Sequence, residues 1–241
     1  MRLARLLTPN GPVVGSYDDG TLYADDGVYE VGIDGRLLPP CEPSALYCVG
    51  RNYATTLEQM EYEQPEEPDF FIKPATSLIA DGQSIPYPTW TDDLTYAGEL
   101  VAVIDERCRN LTPEAVPDVV RGYTIMNDVD ALDQAGRTAR KAFDGSAPLG
   151  PWIETNVDPT ELDMETYVGS EKRQDSNTEL MLFDPYEIIA HLSRRFTLRP
   201  GDCIAFGSPE NPGGIEPGET VEITYEGIGT LTNTVTDSSF P

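Results

Sequence analysis

The feature that most constrains this chain is a pair of apolar segments that carry carboxylates within them. Residues 94–106 and 121–133 are rich in β-branched and aromatic residues, which predicts two strands. Glu99 lies inside the first segment. Asp128 and Asp130 share one face of the second, because residues two apart in a strand point the same way. A carboxylate buried among apolar side chains is costly unless a partner neutralises it.

These acids have two interpretations. A hard divalent cation prefers oxygen ligands, and Glu99, Asp128 and Asp130 would supply them to Mg²⁺, Mn²⁺ or Ca²⁺. Alternatively, the acids mark strand ends that lie in water, which is common for lone acids in strands. The chain contains 42 acidic residues, so the spacing leaves both interpretations open.

The overall charge narrows the classes of partner. The 42 acidic and 16 basic residues give a formal net charge of −26, spread along the chain. The electrostatic field of this negative charge repels nucleic acid and anionic membranes, so we expect neither as a partner. The composition resembles that of haloarchaeal cytosolic proteins, in which concentrated salt screens the self-repulsion. No apolar run approaches the length of a membrane span, and we expect a cytoplasmic protein.

Zinc is not expected in this chain. The four cysteines are dispersed and form no CxxC motif, which is typical of a reduced compartment. The single histidine, His191, lies in a helix predicted over residues 183–196, and we interpret it as structural or exposed. A second, shorter helix is predicted over residues 55–62.

The chain divides at a proline-rich connector. Residues 1–42 alternate apolar and polar side chains between Asn-Gly and Asp-Gly turns, which predicts a small N-terminal β domain. Pro39, Pro40 and Pro43 make the connector stiff, because proline fixes φ and cannot continue a sheet. Residues 43–241 form the second predicted domain.

Several basic residues are candidates for ligand binding. Lys73 lies within an apolar strand and either extends to the surface or enters a polar pocket. Arg137, Arg140 and Lys141 form the densest basic cluster, in a predicted loop that is either a carboxylate-binding lid or surface charge balance. Arg51 follows a glycine turn that could bring backbone N–H groups to an anionic ligand.

The order of motifs across residues 45–236 resembles that of the fumarylacetoacetate hydrolase superfamily. The motifs read CVGRNYA, DFFIKPATSLIADGQSIPYP, YAGELVAVI, GYTIMNDVDALD, RKAFDGSAPLGPWI, KRQDSNTELM, TLRPGDCIAFGSP and EGIGTLTNTV. The resemblance implies an α+β fold, namely a mixed β-roll or sandwich with flanking helices after a small N-terminal β domain, and a homodimer. It also implies a divalent-metal-dependent hydrolase, decarboxylase or isomerase that acts on a small β-diketo or α-keto (di)carboxylic acid through a metal-bound enolate.

The resemblance also implies roles for individual residues. Glu99 and Asp128 match metal ligands, and Asp130, which stands where the family has threonine, would supply a third. Lys141 and Lys73 match the catalytic and carboxylate-orienting lysines. The positions that match substrate-binding residues are Arg51, Tyr53, Gln174, Gly207 and Ser208.

Several chemical positions depart from the family pattern. Ala97 replaces the first glutamate of an E-x-E pair, and Leu132 replaces the arginine of a TARD motif. Thr56 replaces the histidine that activates water in the hydrolases, and Gln59 replaces its glutamate partner. Without an imidazole the usual hydrolytic route lacks its general base. We therefore expect decarboxylation or keto–enol isomerisation, and the alternative is a catalytically degenerate paralogue that serves binding or assembly.

Overall fold

The computed structural model describes residues 1–211 and 213–237, and most of their regular secondary structure is β-strand. The strands are β1 Arg2–Thr8, β2 Gly11–Asp18, β3 Thr21–Ala24, β4 Gly27–Glu30, β5 Arg36–Leu37, β6 Leu46–Gly50, β7 Asp69–Lys73, β8 Leu78–Ile79, β9 Ile85–Tyr87, β10 Leu94–Thr95, β11 Gly98–Ile104, β12 Val120–Asn127, β13 Asp130–Ala131, β14 Ala147–Glu154, β15 Asp163–Val168, β16 Glu171–Asn177, β17 Cys203–Ala205, β18 Thr220–Tyr225 and β19 Gly229–Asp237. The α-helices are α1 Ala54–Met60, α2 Arg137–Lys141 and α3 Pro185–Arg195. None of the helices in these described ranges is long and apolar enough to cross a membrane.

The strands form two main sheets. The larger has the order β4-β3-β2-β1-β14-β12-β11-β17-β6-β7, with β5 beside β1 and β8 beside β14. The smaller has the order β16-β15-β18-β19-β9, and β10 pairs with β13 in a short ribbon. Both sheets are mixed, because β6–β17, β8–β14 and β9–β19 are parallel pairs. Mixed sheets with few helices agree with the predicted fold, although helix is scarcer than an α+β class suggests.

The N-terminal strands continue the larger sheet. Arg2 and Leu3 of β1 pair with Glu154 and Ile153 of β14. A small apolar cluster of its own lies under these strands, built on Ala4, Leu6 and Leu22. The division of the chain at residue 42 therefore stays a prediction.

Strand β11 is buried on both faces, which explains its nearly continuous apolar sequence. Leu100, Ala102 and Ile104 join the main core between the sheets, whereas Val101 and Val103 join a second cluster on the opposite face. β11 pairs antiparallel with β12 from Gly98 opposite Asn127 onward. The predicted pairing of two apolar segments that carry acids is thus present at the centre of the fold.

Two local predictions were wrong. The second acidic segment is not one strand, because β12 ends at Asn127 and β13 begins at Asp130. The basic cluster and the Gly/Pro-rich stretch after it were predicted as a loop, but Arg137–Lys141 is the short helix α2 and Ala147–Glu154 is a strand that pairs with β12 and β1. Its apolar side chains are buried between neighbours, and this tertiary burial overrides the local turn signals.

Asp202 fixes the two parallel strands β6 and β17, whose ends border a cleft. Its carboxylate is buried and accepts hydrogen bonds from the Ser44 N–H at 3.1 Å, the Ser44 hydroxyl at 2.6 Å, the Ala45 N–H at 3.0 Å and the Arg199 N–H at 2.8 Å. β6 begins just after Ala45, and β17 begins just after Asp202. One carboxylate therefore holds the starts of both strands in register.

We predict that Asp202→Ala lowers the free energy of unfolding by about 3 kcal/mol or more, because several buried donors lose a charged acceptor. Urea unfolding followed by circular dichroism measures the change. Asp105→Ala is the control, since its ion pair with Arg121 is about half exposed and such pairs contribute about 0–1 kcal/mol. Equal losses in the two variants would contradict the role of Asp202.

Candidate active site

A cleft of about 540 Å³ opens where several strands of the larger sheet end. The parallel strands β6 and β17 end side by side, and they lead into Arg51 and into the Gly207–Ser208 turn. The ends of parallel strands are a common position for ligand clefts in open sheets. Arg51 enters the cleft from a left-handed backbone conformation, with φ of 60°. Such strain in a residue other than glycine is typical of functional positions.

The carboxylate of Asp128 lies between two lysines. The ammonium of Lys73 is fully buried and donates to Asp128 Oδ1, to the Val129 carbonyl at 3.0 Å and to the Ser146 carbonyl at 2.7 Å. An ammonium has three N–H donors, so Lys73 is saturated. The Lys73 side chain therefore enters a polar pocket and does not extend to the surface. This pocket lies behind the wall of the cleft.

Lys141 approaches the same carboxylate from the cleft side. Its ammonium donates to Asp128 Oδ2, lies 3.1 Å from Asp130 Oδ2 and sits 5.2 Å from the centre of the Phe71 ring. Arg140 donates to both oxygens of Asp130, at 2.9 and 2.5 Å. Two members of the basic cluster, Arg140 and Lys141, therefore bind the acidic segment directly, whereas Arg137 binds Asp69 on β7.

These contacts set the charge states at the base of the cleft. Burial alone would raise the pKa of Asp128, but the ammonium groups of Lys141 and Lys73 outweigh it and hold that pKa below its usual range. Burial would lower the pKa of Lys141, but Asp128 and Asp130 raise it above its ordinary value. Asp128 is therefore a carboxylate and Lys141 an ammonium at neutral pH.

Glu99 has a different environment. Its side chain is buried, and Oε2 accepts a hydrogen bond from the Gly207 N–H at 3.1 Å. Burial and the nearby charge of Asp128 raise the pKa of Glu99 from 4.5 to about 8. A carboxyl group that titrates near neutral pH can both accept and donate a proton.

A hydrogen-bond network holds the turn that follows β17. Gln174 donates to the Ser208 hydroxyl at 2.8 Å and to the Pro209 carbonyl at 3.2 Å, and it accepts from the Gly98 N–H at 3.2 Å. The Thr56 hydroxyl donates to the Ser208 carbonyl at 2.6 Å. Thr56 thus fixes the turn that borders the cleft.

The predicted site residues fall into two layers. Those that line the cleft are Arg51, Glu99, Asp128, Asp130, Lys141, Gly207 and Ser208. Lys73, Tyr53 and Gln174 lie behind this surface. Tyr53 is buried, and its hydroxyl has no hydrogen-bond partner among the residues that the structure describes. Burial and the charge of Glu99 raise the pKa of Tyr53. Arg140 was named only as part of the basic cluster, and its contact with Asp130 spans two elements that local sequence patterns do not connect.

The predicted Mg²⁺ site can be tested against the donors that the cleft offers. Both oxygens of Asp128 accept from ammonium groups, and both oxygens of Asp130 accept from Arg140. Within residues 1–211 and 213–237, no three His, Cys, Asp or Glu side chains are grouped so that they could hold a metal ion. A divalent ion that binds these oxygens would have to displace Lys141 or Arg140, or lie against their positive charges. The arrangement of these residues does not fit a divalent cation.

The fold is that of the fumarylacetoacetate hydrolase superfamily, since solved structures of this superfamily align with the chain at TM-scores of 0.85 to 0.91. The chain belongs to this family, because residues 45–236 match Fumarylacetoacetate (FAA) hydrolase C-terminal. The family resemblance of the sequence is thus confirmed.

Three relatives show what the chain is similar to. It shares 37% identity and a TM-score of 0.91 with the structure of 5-carboxymethyl-2-hydroxymuconate delta-isomerase from Mycobacterium smegmatis, covering 99% of this chain and 100% of that chain. It is 35% identical to the 4-hydroxyphenylacetate degradation bifunctional isomerase/decarboxylase of Escherichia coli, over 81% of this chain and 48% of that protein. Maleylpyruvate hydrolase from Sphingobium sp. SYK-6, solved with manganese(II) and pyruvate, has 26% identity, a TM-score of 0.85 and coverage of 99% and 100%. The neighbours are thus isomerase, decarboxylase and hydrolase enzymes of one family.

We predict that Glu99→Gln removes a pH dependence of stability. The folded pKa of about 8 lies above the ordinary 4.5, so the folded state keeps a proton that the unfolded state releases between these values. The free energy of unfolding of the wild type therefore falls as pH rises through that window, and the loss is complete above about pH 8. Urea titrations at several pH values measure it.

The control for this prediction is Glu222→Gln, an exposed glutamate on β18. It should leave the pH dependence of the wild type unchanged. If Glu99→Gln follows the wild-type curve throughout the window, Glu99 is not protonated in the folded protein.

Proposed function

We propose that this chain isomerises or decarboxylates a small α-keto or β-diketo (di)carboxylic acid through an enolate that is stabilised by Lys141. One observation carries the proposal. The Lys141 ammonium borders the cleft, is bound by Asp128 and Asp130, and lies 5.2 Å from the centre of the Phe71 ring. Positioned charges that face the oxygen where negative charge develops are a large source of rate enhancement. Removal of a proton or of CO₂ next to a keto group leaves an electron pair that becomes such an oxyanion.

Glu99 is the proposed proton carrier. Its pKa of about 8 lies near neutral pH, which suits a general acid and base. In a decarboxylation, the bond to the carboxylate breaks, CO₂ leaves, and protonated Glu99 donates its proton to the carbon of the enolate and then takes another from water. In an isomerisation, Glu99 takes a proton from one atom and returns it to another.

Arg51 is the proposed anchor for a substrate carboxylate. Its guanidinium carbon lies 4.4 Å from the centre of the Tyr62 ring, and its buried Nε has no hydrogen-bond partner within residues 1–211 and 213–237. It faces Asp69 at 3.6 Å, and Arg137 already binds that carboxylate at 3.0 and 2.7 Å. The Arg51 side chain is 36% exposed, and its terminal N–H groups are the donors proposed for a bidentate contact with an incoming carboxylate.

Hydrolysis is not proposed, because the cleft offers no base to activate water in the usual place. Helix α1 presents Thr56 and Gln59 to the cleft, and the Thr56 hydroxyl is already committed to Ser208. The predicted Mg²⁺ does not enter the proposal, because the donors do not fit it. We also propose that the protein is a cytoplasmic homodimer that binds neither nucleic acid nor membranes.

A second candidate function is supported by the cleft lining. Four replaced positions lie together at the surface of the cleft, namely Thr56, Gln59, Ala97 and Leu132. This clustering favours a catalytically degenerate paralogue that keeps the cleft for binding. Turnover distinguishes the two candidates, since only the first converts its ligand.

We predict that the wild type, at high KCl, decarboxylates or tautomerises one or more members of a panel of small keto acids that includes oxaloacetate. Lys141→Met should lower kcat/KM by about 10²- to 10³-fold, as loss of an oxyanion donor does. Spectrophotometry of the enol band measures turnover. Lys172→Met is the control, because Lys172 pairs with Glu165 and Asp175 at a partly exposed position outside the cleft lining. Binding of oxalate without turnover of any keto acid would favour the degenerate paralogue.

Arg51 allows binding to be separated from stability. Arg51→Gly should leave the free energy of unfolding unchanged or raise it by up to about 1 kcal/mol relative to Arg51→Ala, because glycine tolerates the positive φ. Both variants should bind oxalate roughly 10- to 100-fold more weakly, measured by calorimetry. Unchanged oxalate affinity would remove Arg51 from the ligand site.

A further inference from the structure

We infer that the Lys141 ammonium is the resident cation of this cleft, that a substrate carboxylate or enolate binds to it without a divalent metal ion, and that Ala97 is the residue that excludes the metal. The class of ligand in this inference rests on the proposed function. The exclusion of the metal ion does not depend on whether the protein turns over a substrate.

The first support is that two carboxylates at the base of the cleft are already paired with cations. Asp128 and Asp130 meet Lys73, Lys141 and Arg140 there. Of these, Asp128 has each of its oxygens bound by a lysine. A divalent ion would have to displace Lys141 or lie against it.

The second support is that Lys141 is fixed on three sides. Asp128 and Asp130 hold its ammonium, and the Phe71 ring lies 5.2 Å from it. The side chain is 16% exposed, so the remaining side of the ammonium is near the cleft. A fixed, partly exposed cation next to a cleft can receive an anionic oxygen without reorganising.

The third support is the position of Ala97. It lines the cleft two residues before Glu99, and its carbonyl accepts a hydrogen bond from the Asp128 N–H at 2.8 Å. A carboxylate at residue 97 would therefore lie beside both Glu99 and Asp128. The methyl group of Ala97 instead supplies no oxygen ligand beside Glu99 and Asp128. Metal affinity rises with the number of charged oxygen ligands.

The test uses full-length protein that is dialysed against EDTA and then against metal-free buffer at high KCl. Mn²⁺ alone is titrated in, and the electron paramagnetic resonance signal of free Mn²⁺ reports binding. Calorimetry measures oxalate binding to the same metal-free protein. The wild type should leave millimolar Mn²⁺ free and should bind oxalate, and Lys141→Met should weaken oxalate roughly 10- to 100-fold.

The matched variants are Ala97→Glu and Ala97→Gln, which have similar shape and differ in charge. Ala97→Glu should bind Mn²⁺ roughly tenfold or more tightly than the wild type, because it adds a charged oxygen ligand. Ala97→Gln should not. Ala97→Asp serves if the longer side chain prevents folding, which circular dichroism shows.

The outcomes separate this inference from the proposed function. Tight Mn²⁺ binding by the wild type, with oxalate bound only in its presence, would overturn the inference and leave the keto-acid function standing. Failure to bind oxalate with or without Mn²⁺ would overturn both. A folded Ala97→Glu or Ala97→Asp variant that gains no Mn²⁺ affinity would overturn the role of Ala97.

Discussion

The paired contacts of Asp128 with Lys73 and Lys141 join three parts of the chain that are distant in sequence. Lys73 ends β7, Asp128 follows β12, and Lys141 ends α2. Removing one partner of a buried ion pair typically lowers the free energy of unfolding by about 3–5 kcal/mol, because the remaining charge is buried without a partner or water to solvate it. The base of the cleft therefore depends on all three elements at once. Its charges are held by the fold before any ligand arrives.

This arrangement gives the two lysines different tasks. Lys73 uses its donors on Asp128 and two backbone carbonyls, so it orients that carboxylate from behind. Lys141 faces the cleft and is available to a ligand. The replacements at Ala97 and Thr56 remove a carboxylate and an imidazole from the same surface. What remains suits stabilisation of an enolate and proton transfer by Glu99 better than activation of water.

Much of this organisation follows from local sequence patterns. The apolar segments at β11 and β12 and the helix α3 are examples, whereas the site roles of Glu99, Asp128 and Lys141 were expected from the family resemblance. Contacts between distant elements were not predictable in this way. Asp130 was expected to face a metal but binds Arg140, and Gln174 supports Ser208 from another sheet. Strand β14 escaped prediction because its Gly and Pro residues resemble a turn, whereas burial against β12 and β1 decides its conformation.

A crystal structure of the protein grown at high KCl with oxalate and Mn²⁺ tests the central claim most directly. Anomalous scattering locates manganese independently of the other density. We expect an oxalate oxygen within hydrogen-bond distance of the Lys141 ammonium and no manganese peak in the cleft. A manganese peak between Glu99 and Asp128, with Lys141 displaced from Asp128, would contradict the claim that the lysine is the resident cation.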